Sequence, residues 1–157
     1  MAANAKPASG RIVRGVHVFP LRVYYEDTDA GGVVYYANYL KYAERARTEM
    51  MHLLDAGYRD LVAGGKLAFA VRRCEVDFLA PARLDDILEV RTAVSQAGGA
   101  SVTAEQVIRR GAEDITRLTV KLACVAPGGR AMRIPARLKN ALARVTKAGR
   151  SSANSRQ

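Results

Sequence analysis

One long stretch of this chain spaces its apolar residues for a helix, and nearly everything after it spaces them for a sheet. Between Asn38 and Ala56, Tyr39, Tyr42, Ala43, Ala46, Met50, Leu53 and Leu54 recur at three- and four-residue steps. That spacing gathers them on one face of an amphipathic helix. Asn38 reads as its N-cap and Gly57 as a left-handed stop. Upstream, Leu21, Val23 and Tyr25 alternate with Arg22, Tyr24 and Glu26, the period-two pattern of a half-buried strand. Downstream, four alternating segments follow: Phe69 to Leu79, Ile87 to Gln96, Ser101 to Arg110 and Ile115 to Val125. Gly98-Gly99 and Gly111 stand where hairpin turns are needed, so the last three form an antiparallel meander.

A sheet with one apolar face has to be covered, and only one long helix is available to cover it. The pattern therefore predicts an α+β fold, a five-stranded antiparallel sheet wrapped around one long helix, which is the hotdog architecture. With 157 residues, 49% hydrophobic and 25% charged, the chain has the size and composition of one ordinary domain. The expected organisation is a disordered lead-in over 1–14, the domain over 15–133, and a basic tail over 134–157 that is helical in part.

The net charge of +10 looks like a nucleic-acid signal until it is located. Residues 1–114 carry 15 Lys/Arg and 15 Asp/Glu, so the whole excess lies from Arg117 to Arg156. Charge loaded on one end marks a tail or a solvated terminus, not a nucleic-acid-binding fold. Within the tail, Ile134, Leu138, Ala141, Leu142 and Val145 recur at helical steps between Arg137, Lys139, Arg144 and Lys147. Such a basic amphipathic helix either lies weakly on an anionic membrane surface or docks on the protein's own sheet, and its lack of Trp or Phe anchors favours docking. Val16 to Val23 is broken by His17, Pro20 and Arg22 and does not make a signal-peptide core. No segment approaches the length of a membrane span. A cytoplasmic location is expected. Cys74 and Cys124 sit singly in alternating segments and read as buried structural thiols, and no metal-ligand set is visible.

The chemistry concentrates between Arg22 and Glu49. Glu26, Asp27 and Asp29 crowd the end of a strand, Gly31 and Gly32 follow, and a helix starts just beyond. Glycines let a ligand approach the main chain closely. The unpaired N–H groups of a helix start carry partial positive charge. A carboxylate facing such donors is the pair of groups that hydrolysis of an activated acyl group requires. The competing reading is that the carboxylates only cap a loop. A calcium loop lacks its third oxygen ligand and its glycine here. His17 and His52 lie outside this stretch, with His52 on the polar helix face. Glu44 and Glu49 read as ion-pair partners of Arg45 and Arg47, with Glu49 in reserve as a helical carboxylate, and Asp85-Asp86 as turn residues.

The run Arg22-Val23, four residues, Thr28-Asp29, two residues, Gly32-Val33-Val34, two residues, Ala37, one residue, Tyr39 resembles the active-site signature of the 4-hydroxybenzoyl-CoA thioesterase family. Within that family, EDTDAGGVVY, AERARTEM and APARLDD are similar to the acyl-CoA thioesterase branch associated with the Tol-Pal system. The likeness covers roughly residues 17–127. It implies a hotdog fold, hydrolysis of CoA thioesters with no cofactor or metal, and active sites at the interface of a homodimer or homotetramer. It carries the catalytic aspartate onto Asp29, as nucleophile or general base. The backbone donor to the thioester carbonyl falls on Tyr36. Many members of the Tol-Pal branch have histidine where this chain has Tyr36. The basic residues that hold the CoA phosphates in the benzoyl-CoA branch fall near Gly98, Gly99 and Ala100, which leaves Arg72, Arg73 and the basic tail as replacements. Together with Gly31 and Gly32, Arg72 and Arg73 make up the expected substrate-binding set. The alternatives are a non-catalytic acyl-CoA or acyl-carrier-protein binding module, and a dehydratase, whose loop histidine is missing here.

Overall fold

A computed structural model describes residues 5, 7–54 and 57–146. The helix and the four downstream strands are where the periodicities put them, but the strand read over Leu21 to Glu26 lies earlier: it ends at Arg22, and Tyr25, expected to alternate inward, is 83% exposed in a 3-10 turn over Tyr25–Asp27. Helix α1 spans Ala37–Leu54, and strands β1 (Arg11–Val13), β2 (Val16–Arg22), β3 (Ala68–Phe78), β4 (Ile87–Ala97), β5 (Ser101–Arg110) and β6 (Glu113–Val125) form one antiparallel sheet in the order β1-β2-β4-β5-β6-β3. The meander β4-β5-β6 is as predicted. Among the described residues β3 pairs only with β6, which makes it an edge strand.

The sheet has six strands, not five. Residues expected in the lead-in supply β1, because Arg14 and Gly15 both take positive φ, 50° and 76°, and so close a two-residue hairpin onto β2. Paired positive φ angles define the type I′ turn, whose twist suits a hairpin. Residues 1–4 and 6 of the lead-in lie outside the described residues.

Two local expectations change at α1. Asn38 lies inside the first turn rather than at the cap, and its side-chain amide donates to the Asp27 carbonyl at 2.8 Å. Leu53 sits at the rim, 36% exposed, while Met51 takes a buried place. Gly57 has the expected left-handed φ of 80°; the helix is described as far as Leu54, and residues 55–56 are outside the described residues.

Ala43 and Ala46 are fully buried, which lets the helix axis approach the sheet closely, with Tyr42 packed beside them over Leu88, Val90, Ile108 and Val120. A buried polar cluster bridges the same gap. Gln106 on β5 donates its amide to the Ala43 carbonyl and to the Thr92 hydroxyl, both at 3.0 Å, and accepts from the Arg47 guanidinium at 2.8 Å. Arg47 is thus committed to the sheet rather than to the expected ion pair with Glu44, and Glu49 accepts from the Ser9 hydroxyl at 2.7 Å.

The basic tail starts with helix α2, Ala136–Thr146. Its apolar face is docked: Leu138, Leu142 and Val145 are buried beside Met50, Leu67 and Val94, while Arg137, Lys139 and Arg144 stay exposed. The face a membrane would need is therefore occupied by the protein itself. Residues 147–157 of the tail lie outside the described residues. Among those described, no helix is long and apolar enough to cross a membrane. Cys124 is buried as expected, but Cys74 is exposed because β3 is an edge.

Two predictions follow from this packing. Gln106→Leu leaves the Arg47 guanidinium, the Thr92 hydroxyl and the Ala43 carbonyl without their shared partner, so urea unfolding should show a loss of about 2–4 kcal/mol. An unchanged midpoint would mean the cluster holds nothing. His17 is fully buried, its Nε2–H donating to the Ser9 carbonyl at 2.7 Å while Nδ1 has no recorded partner. Burial, only partly offset by the Ser9 carbonyl and Glu49, lowers its pKa below 6.5. The unfolded chain takes up that proton first, so stability is full above about pH 6.5 and declines as pH falls toward the folded value. In thermal melts His17→Gln should flatten this slope.

Candidate active site

The site begins with how the chain turns between β2 and α1. A short 3-10 helix, Tyr25–Asp27, leaves β2, and the Asp27 carboxylate accepts the Tyr24 N–H at 2.8 Å. Thr28 and Val34 then form an isolated antiparallel bridge around a tight turn. The Asp29 N–H donates to the Val33 carbonyl at 2.9 Å, and the Gly32 N–H returns to the Asp29 carbonyl at 3.0 Å. Gly32 takes φ 78°, and a side chain there would meet open space, so the turn itself demands the glycine.

This turn is pinned from below by residues 80–86. The Val34 N–H donates to the Ala82 carbonyl at 2.8 Å, and the Ala82 N–H donates to the Tyr39 hydroxyl at 3.0 Å. Asp86 holds that loop as the turn residue expected of it, accepting from the Arg83 N–H at 2.8 Å and the Arg110 guanidinium at 2.7 Å. Partial burial works against its charge, but the Arg83 N–H and Arg110 outweigh it and keep the carboxyl below its ordinary value. The Tyr39–Ala82 support and the Arg110 partner of Asp86 escaped sequence reading, since each acts across a distance in sequence that no local pattern reports.

The three crowded carboxylates have separate fates. Glu26 is exposed, Asp27 is spent on the cap, and Asp29 lines a cavity of about 450 Å³ with Tyr25, Thr28, Ala30, Gly32 and Leu84. Asp29 Oδ1 accepts the Gly31 N–H at 2.8 Å and the Val33 N–H at 3.4 Å. Among the described residues no partner is recorded for Oδ2. The carboxylate is thus oriented through one oxygen and available through the other. Gly31 acts through its N–H, and a side chain on it would come within 3.2 Å of Asp29 Oδ1.

Tyr36 immediately precedes α1. Its ring stacks edge-on against Phe78 at 6.0 Å and lies 4.9 Å from Tyr35, which leaves the side chain outward and the main chain at the helix start. The Tyr35 N–H is taken by the Asp27 carbonyl, whereas among the described residues no acceptor is recorded for the Tyr36 N–H. Arg72 and Arg73 are not brought to this cavity. Both are exposed on β3, where Arg73 pairs with Glu75 at 2.6 Å. No group of three or more His, Cys, Asp or Glu positioned for a metal occurs among the described residues.

A second cavity, of about 240 Å³, lies between α1 and the sheet. It is lined mainly by apolar side chains and shares no residue with the Asp29 cavity.

The chain is similar to the acyl-CoA thioesterase YbgC of Haemophilus influenzae, 48% identical over 110 residues that cover 70% of this chain and 81% of that protein. It is also similar to the acyl-CoA thioester hydrolase YbgC of Escherichia coli O6:H1, 44% identical over 69% of this chain and 81% of the relative. Among solved structures, a probable thioesterase from Bartonella henselae superposes with a TM-score of 0.70 at 38% identity, covering 76% of this chain and 99% of that one. The sequence profile of the thioesterase superfamily matches residues 31–116, more than half of the chain, taking in the glycine pair, α1, β3, β4, β5 and the start of β6. The chain belongs to the thioesterase superfamily.

Proposed function

We propose that this protein hydrolyses acyl-CoA thioesters to a carboxylic acid and free CoA, with Asp29 acting on the thioester and the Tyr36 N–H polarising its carbonyl. The observation that carries this reading is the divided state of the Asp29 carboxylate: Oδ1 accepts from Gly31 and Val33, and Oδ2 is without a recorded partner on the cavity wall. The named activity of the YbgC relatives supports the substrate class.

Two balanced routes use the same atoms. As a general base, Oδ2 takes a proton from water while the water oxygen bonds to the carbonyl carbon; the C–S bond then breaks and the CoA thiolate recovers the proton. As a nucleophile, Oδ2 itself bonds to the carbonyl carbon, the thiolate leaves and is protonated from solvent, and water cleaves the resulting anhydride. In both, negative charge gathers on the carbonyl oxygen, where a backbone N–H at a helix start is stabilising. A single turnover in oxygen-labelled water tests for the anhydride, since label enters the Asp29 carboxylate only when water attacks the aspartyl carbonyl of that intermediate; trapping the anhydride with hydroxylamine detects it whichever carbonyl water attacks.

The working form is a homo-oligomer, at least a dimer, in the cytoplasm. β3 is long and unpaired on its outer side, and Val71 and Phe78 on it are 54% and 52% exposed. Such an edge is a template for a second copy. Arg72, Arg73 and the exposed cations of the tail are the groups available for the CoA phosphates. Antiparallel pairing about the middle of β3 brings Cys74 close to Cys74 of the partner subunit, so a short bifunctional maleimide should yield a covalent dimer that Cys74→Ser abolishes. A monomeric mass by light scattering at micromolar concentration overturns the dimer.

Asp29→Asn keeps the Oδ1 acceptor and hence the turn, but removes the charge. Thiol release from a panel of acyl-CoAs should fall on the order of a hundredfold or more, with the melting temperature unchanged. Near wild-type kcat in this variant would remove Asp29 from the chemistry. Tyr36→Phe should leave kcat nearly unchanged, because the main chain is the donor. If the wild-type protein binds acyl-CoA and releases no thiol above a blank, it is a binding module instead.

A further inference from the structure

The cavity beneath α1 has a closed end and an open one. Met50, Val94, Val102 and Leu142 at its depth are all buried, whereas Ala68 and Val71 at the other end lie on the exposed strand β3. Leu142 belongs to α2, outside the 31–116 stretch that the superfamily profile matches. The closed end is therefore built in part by an element outside that stretch. The cavity wall is mainly apolar; Glu44, Arg47 and Thr48 also line it, and the Arg47 guanidinium is already engaged by Gln106 at 2.8 Å.

The open end faces the right way for catalysis once two copies pair. Phe78, at one end of β3, packs against Tyr36 at the start of α1, while Ala68, at the other end, borders the cavity mouth. Antiparallel pairing of two β3 strands about their middle sets the Phe78 end of one beside the Ala68 end of the other. The start of one subunit's α1 thereby comes to the mouth of its partner's cavity. This accounts for the Asp29 cavity and the apolar cavity having no residue in common within one chain.

We propose that the apolar cavity receives the acyl chain and that α2, through Leu142, is its end wall and sets the chain length the enzyme accepts. The proposal rests on the acyl-CoA reading given above. An apolar chain entering this mainly apolar cavity gains about fourfold in affinity per methylene buried, until it meets the wall.

The test uses S-alkyl-CoA thioethers of increasing length, which bind without being cleaved, titrated calorimetrically into the full-length protein. Affinity should rise with chain length to a break. Leu142→Ala should move that break outward by about one or two methylenes, and Leu142→Phe should move it inward. Should Leu142→Ala fail to fold, Leu142→Val carries the same comparison with a smaller shift. A break at the same length in all variants, affinity independent of chain length, or no binding at any length overturns the proposal. Thiol release from the matching acyl-CoAs, measured in parallel, separates the two readings: a moving break without turnover sinks hydrolysis and keeps the end wall, whereas turnover with a fixed break does the reverse.

Discussion

The fold depends on how closely α1 can lie on the sheet, and Gln106 is the residue that fixes that distance. Two fully buried alanines remove the side chains that would hold the helix off. Apolar contact alone is non-directional and tolerates sliding along the sheet. Gln106 removes that freedom, since its amide must meet a particular helix carbonyl, Ala43, and a particular strand hydroxyl, Thr92, while its oxygen meets Arg47. Buried polar groups are costly unless all are matched, so a network of this kind specifies one register over its neighbours. The start of α1, and with it the placement of Tyr36 relative to Asp29, inherits that register.

Periodicity made the helix, the strands and the meander legible, because each is a local pattern written over ten or more residues. The carboxylate and glycine turn was legible for another reason: Asp29, Gly31 and Gly32 hold one another through bonds spanning two to four residues. What escaped were features set by distant partners. β1 is only three residues long, and its signal is a hairpin at Arg14-Gly15 in which a bulky residue accepts positive φ. Cys74 alternates like a core residue, yet is exposed because strand order, not strand pattern, decides which strand is an edge. The amphipathic tail was readable as a helix, but its choice between a membrane and the sheet turns on whether Met50, Leu67 and Val94 leave room for it.

The site also shows why three adjacent carboxylates need not share one task. Asp27 and Asp29 are two residues apart, and each accepts backbone N–H groups, but Asp27 is consumed in starting a turn. Asp29 stands where the chain reverses, and its carboxylate folds over the turn to accept the Gly31 and Val33 N–H groups through Oδ1 while it lines the cavity. The loop 80–86, stitched to it through Val34, Ala82 and Tyr39, gives this reversal a floor. A side chain with one oxygen fixed and one available is pre-oriented at little further entropic cost when substrate arrives.

The position of β3 imposes an order on assembly. Its only partner in the sheet is β6, whose last residue, Val125, lies 47 positions beyond Phe78. While the chain is being synthesised, β4 and β5 can pair as a hairpin as soon as they emerge, whereas β3 must wait with its backbone unsatisfied. The strand proposed to join two subunits is thus the last to be laid into its own sheet. Until β6 arrives, both edges of β3 are open, so the interval before the sheet closes is when the strand is most exposed to pairing with another chain.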